Sequence, residues 1–93
     1  MNNLSDGLYL AMVVVHRAHG FRFVIYTLDH EPAHVHITGA GQAKINLLGA
    51  GGAPEVVISI GIKRSDMRRL VAEVSERRDE FLQEWERIHG RSD

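Results

Sequence analysis

Apolar residues change their spacing once along this chain, near residue 63, and that change limits the folds open to it. Before it they alternate. Phe21, Phe23 and Ile25 fall on one side of a strand, and Arg22, Val24 and Tyr26 on the other. Val35 and Ile37 oppose His34, His36 and Thr38, and Ala43, Ile45 and Leu47 oppose Lys44, Asn46 and Leu48. Period two is the mark of a β-strand. After the change Met67, Leu70, Val71, Val74, Phe81, Leu82, Trp85 and Ile88 recur mostly at three and four residues, as on one helical face.

Five strands are predicted, at 12–16, 21–28, 34–38, 43–48 and 55–62. In the last, Val56, Ile58, Ile60 and Ile62 form an unbroken row expected to face the core. Gly20 and the Gly39-Ala40-Gly41 stretch supply turns, and Pro32 interrupts the strand pattern. The loop from Gly49 to Pro54 lacks the Gly-Lys-Ser/Thr ending of a phosphate-binding loop and is given no nucleotide role. Ser65 is the expected N-cap of the helix, Asp66 suits its first turn and Gly90 stops it, which makes about six turns. Arg77 and Arg78 fill a gap in its apolar stripe; the simpler reading there is a solvated charge cluster with Glu73, Asp79 and Glu80.

A sheet with one apolar face needs a cover, and this helix is the cover available. The expected fold is α+β: a small antiparallel sheet of four to five strands covered on one face by a long C-terminal helix. Residues 12–90 form the single domain and 1–11 a flexible N-terminal extension, with Met12 an alternative start to Met1. The 93-residue length suits one domain. The absence of cysteine excludes disulfides and thiolate metal sites and fits a reducing cytoplasm. No apolar run is long enough to cross a membrane, and Leu8 to Val15 lacks the basic flank of a signal peptide. A net charge of -1 gives no overall attraction to nucleic acid, so any basic face must be local.

The stretch Asp29-His30-Glu31-Pro32-Ala33-His34-Val35-His36 holds three of the six histidines. On a strand His34 and His36 share a face, with Cα atoms about 6.5–7 Å apart. Two imidazoles so placed could bind one metal or flank one phosphate. The acid–base reading needs no cofactor: His34 and His36 act as base and acid on an RNA phosphodiester, with Lys44 or Arg78 as the cation. The metal reading uses His34 and His36 with His30 or Asp29 as third ligand; as a set of three histidines it is His30, His34 and His36. The structural reading has His30 locking the turn beside Asp29 and Pro32. His16, His19 and His89 are assigned to surface or packing, and Trp85 to the core.

From about Val13 to Gly90 the chain resembles the small bacterial family catalogued as domain of unknown function 4160. The resemblance is carried by Gly20-Phe21-Arg22-Phe23, the Glu31-Pro32-x-His34-x-His36 segment, Ala43-Lys44, and the helix ending Phe81-Leu82-x-x-Trp85. The family's helix arginine falls on Arg78. Ala33 stands where the family has a second proline, and the glycine-rich loop before Glu55 departs from the family's polar one. The resemblance implies the toxin component of a toxin–antitoxin pair, with a cognate small protein as partner. On this reading the chain acts on RNA through His34 and His36, His30 orients the site, and Lys44 and Arg78 hold phosphate. A non-enzymatic interaction module, binding through an exposed edge strand, is the alternative of another class.

Overall fold

In the computed structural model, which describes residues 11–90, the change of period is the boundary between sheet and helices. Five strands come first: β1 Met12–Ala18, β2 Phe21–Tyr26, β3 His34–Thr38, β4 Gln42–Asn46 and β5 Glu55–Ile60. They form one antiparallel sheet in the order β1-β2-β3-β4-β5. Two helices follow, α1 Arg64–Glu76 and α2 Arg78–His89. The fold is α+β, as the patterning predicts. The extension expected at 1–11 lies, except for Ala11, outside the described residues. Among the described residues no helix is long and apolar enough to cross a membrane.

Turn chemistry sets the register. His19 and Gly20 both have positive φ, 56° and 82°, and join Ala18 to its partner Phe21 as a two-residue hairpin. A Cβ on Gly41 would lie 2.5 Å from the carbonyl oxygens of Ile60 and Gly61, so only glycine lets the β3–β4 turn approach the end of β5.

The alternation read from the sequence places the core on one face. Phe23, Ile25, Val35, Ile37 and Ile45 are fully buried there against Leu70, Val74, Phe81 and Trp85. Phe23 and Phe81 stack at 5.8 Å between ring centroids, and the His16 ring lies 5.2 Å from Phe23. The other face carries Tyr26, His34, His36, Thr38 and Lys44.

Three expectations are corrected. The helical segment is broken at Arg77, whose φ of −105° and ψ of 18° leave helical geometry. The i→i−4 bonds Arg77 N–H to Glu73 O and Phe81 N–H to Arg77 O persist across the break, so one apolar stripe still serves both helices. Lys63, not Ser65, is the N-cap, without a side-chain cap bond. The apolar row of β5 is neither continuous nor buried. The pairing jumps from Lys44↔Ile58 to Ile45↔Val56, leaving Val57 as an extra residue. One inserted residue turns everything beyond it to the opposite face. Val56 stays on the core side while Ile58 and Ile60 join the face of His36 and Lys44, and every residue of β5 is exposed.

Arg77 bridges Glu73 at 2.7 Å and Glu80 at 3.2 Å, the simpler of the two readings for this residue. Glu73 also accepts from His16 at 2.7 Å and lies 3.5 Å from His19. Hydrogen bonds from Arg77 first, then from His16, hold its carboxyl below the ordinary value of 4.5, outweighing the smaller upward push of burial.

Candidate metal centre

His34 opens β3 and His36 follows two residues later, so both rings leave the same face. Val35 between them is fully buried on the core face and holds the strand in place. The rings meet: Nε2 of His34 lies 3.2 Å from Nε2 of His36. Asp29 completes the cluster. Its Oδ1 is 3.2 Å from Nε2 of His36 and 3.4 Å from Nε2 of His34.

The end of β2 positions Asp29. Its N–H donates to the Tyr26 carbonyl at 3.0 Å, and the Tyr26 N–H donates to Asp29 Oδ2 at 2.9 Å. One carboxylate oxygen is thus held by backbone and the other is aimed at the rings. Burial pushes the Asp29 carboxyl upward, but the Tyr26 N–H, the His36 hydrogen bond and the nearby imidazoles win. The group is held below the ordinary value of 3.8.

His34 is oriented from behind. Its Nδ1 donates to the Pro32 carbonyl at 2.8 Å, since a carbonyl can only accept. Its ring packs 5.1 Å from that of Trp85, and the Tyr26 ring meets the His36 ring edge-on at 4.8 Å. Trp85 is fixed in turn by its Nε1–H to Glu31 Oε2 at 3.0 Å and by the His89 ring at 4.0 Å. The side chain of His34 is only 4 % exposed, whereas that of His36 is 26 % exposed. The rings therefore converge as the sequence predicts, but only the His36 side is open to solvent.

The remaining predicted site residues are distributed as follows. Lys44 is the cross-strand partner of His36 on the same face. His30 is exposed and outside the triangle; it lines a cleft of about 380 Å³ with Asp29, Glu31, Trp85 and His89. Arg78 donates to the Gly52 carbonyl in the glycine-rich loop, so the structure does not bring it to the histidines.

Three ligand atoms of the right chemistry meet at Asp29, His34 and His36. Atoms at the corners of a tetrahedron with metal bonds of about 2.0–2.2 Å stand about 3.3–3.6 Å apart. The observed 3.2, 3.2 and 3.4 Å nearly match one face of it. The Nδ1–H of His34 on a backbone carbonyl is the outer-shell bond that metal-ligating histidines use to expose Nε2.

No curated protein and no solved structure matches this chain. Residues 20–86, which span the histidine segment, Lys44 and Trp85, match the model of the family described as Domain of unknown function (DUF4160), and the chain belongs to that family.

Proposed function

We propose that this chain binds one divalent transition-metal ion through Asp29, His34 and His36 and presents it to an anionic substrate on the His36 side. The observation that carries the reading is the triangle of two imidazole nitrogens and one carboxylate oxygen with edges of 3.2–3.4 Å. Imidazole suits zinc, iron, nickel and copper, and three protein ligands leave a coordination position free. When bound, such an ion supplies Lewis acidity toward a phosphoryl or carbonyl oxygen. Lys44, across the ladder from His36 and without an ion pair among the described residues, adds the positive charge that draws an anion to that side. Across from His34, the buried Asn46 Oδ1 has no hydrogen-bond partner among the described residues, which suits a site that takes up water or ligand.

The toxin-like action on RNA implied by the family resemblance is carried in this reading by metal-assisted chemistry rather than by a histidine relay. An in-line displacement at phosphorus puts the attacking and leaving oxygens on opposite sides. Its base and acid must then stand apart by more than a phosphoryl group. Two nitrogens 3.2 Å apart leave no room for that group between them.

The test is elemental analysis and calorimetric titration with Zn²⁺ of protein purified without a polyhistidine tag. One equivalent is expected in the wild type. It should be lost in Asp29→Ala and His36→Ala and retained in His30→Ala. No stoichiometric metal, or equal dependence on His30, sinks the proposal. RNA integrity after induced expression of wild type and His36→Ala tests the substrate separately.

A further inference from the structure

We propose that the groove between β5 and α1 is the docking site for an acidic amphipathic helix of a second protein. The groove has a volume of about 570 Å³ and a floor of Pro54, Val56, Met67 and Val71, with Arg64 and Arg68 on its rim. Val56 shows how incomplete the fold is here. Its partner Ile45 is fully buried on the core face, yet Val56 on that same face is 43 % exposed. The helices cover the sheet as far as β4 and leave the core side of β5 open. Exposed apolar surface next to a core marks a site that something else covers.

Three features select the occupant. Arg64, Met67, Arg68, Val71, Ala72 and Ser75 line the groove at helical spacing, a stripe of three turns and about 16 Å. Such a stripe accepts a second helix, and the small Ala72 and Ser75 permit close approach. The free edge of β5 is a poorer template, because the bulge at Val57 interrupts its ladder. Charge decides the sign of the partner. Lys63, Arg64 and Arg68 have no ion-pair partner among the described residues, while nearby Asp66 is already bound to Arg69 at 3.1 Å. Acidic side chains one turn apart would meet Arg64 and Arg68 at their own i,i+4 spacing.

The experiment uses the full chain and two synthetic helical peptides of about 18 residues, long enough to hold helix in water. Both carry the same leucine stripe; one is flanked by glutamates and the other by lysines. By fluorescence anisotropy the glutamate peptide should bind one to one, about tenfold or more tighter than the lysine peptide, and less tightly in high salt. Arg68→Glu, at an exposed position that leaves the fold intact, should reverse the preference; Arg64→Glu serves as a second exposed variant. Val71→Asp should abolish binding. Equal binding of both peptides, binding of neither, or a preference unmoved by both arginine variants overturns the proposal. A dimer of the chain that Val71→Asp splits assigns the groove to a second copy and overturns it as well.

Discussion

The Nδ1–H of His34 is committed to the carbonyl of Pro32 at 2.8 Å, which leaves the Nε2 lone pair aimed at His36 and Asp29. In the absence of a metal, the His36 Nε2–H faces two acceptors, that lone pair and Asp29 Oδ1, each at 3.2 Å. A metal entering the triangle must displace this proton.

Metal affinity should therefore rise with pH. Ligation needs neutral imidazoles and an ionised carboxylate, so protons compete with the ion. Chelator competition with Zn²⁺ should report weaker binding as pH falls. An affinity indifferent to pH would rule out the imidazole nitrogens as ligands.

Acid should unfold the protein partly through Glu73. Its folded pKa is lowered, so its stabilising contribution is complete above the ordinary value of 4.5 and is lost as pH falls through the lower folded value. Asp29 has the same sign below its ordinary value of 3.8. Thermal melts of Glu73→Gln should show a lower Tm than wild type at neutral pH. The gap should narrow as pH falls below 4.5 and through the lowered folded value, where the wild-type carboxyl is itself protonating. A gap that stays constant with pH would assign Glu73 a packing role only.

Glycine substitutions should separate close approach from turn strain. Gly41→Ala places a methyl 2.5 Å from two backbone carbonyl oxygens, which forces the turn away from β5 and should destabilise by about 1–3 kcal/mol. Gly51→Ala meets nothing within 4 Å and carries only the penalty of φ +82°, about 1 kcal/mol. Urea midpoints in the reverse order would contradict the β3–β4 turn geometry.

Burial should outweigh hydrophobicity in setting mutational effects. Phe81→Ala removes a fully buried ring stacked on Phe23 and should lose about 3–5 kcal/mol, a large share of the stability of a domain this small. Ile60→Thr, at a residue 58 % exposed, should change stability by about 0.5 kcal/mol or less. A large loss at Ile60 would mean that β5 is covered in solution.

Much of the site was legible because β3 obeys a local rule. Alternation alone placed His34 and His36 on one face, set Val35 and Ile37 in the core and gave Lys44 the matching side of the neighbouring strand. Asp29 was one of two candidates for the third position, and nothing local distinguished it from His30. The choice was made by the Tyr26 N–H, which holds one carboxylate oxygen and aims the other. The Glu73 hub had no sequence signal, since His16 reaches it across 57 residues. The bulge at Val57 had none either, because any residue can be the extra one.

Periodicity, turn residues and the order of elements are nearest-neighbour properties, so the sequence by itself determined an antiparallel sheet of four to five strands, the core face of β2 to β4 and the shared face of the two histidines. Which carboxylate meets those rings, where the helical segment bends and which apolar strand stays uncovered depend on contacts between distant segments. Those contacts exist only once the sheet has twisted and the helices have packed, so the tertiary structure alone decided them.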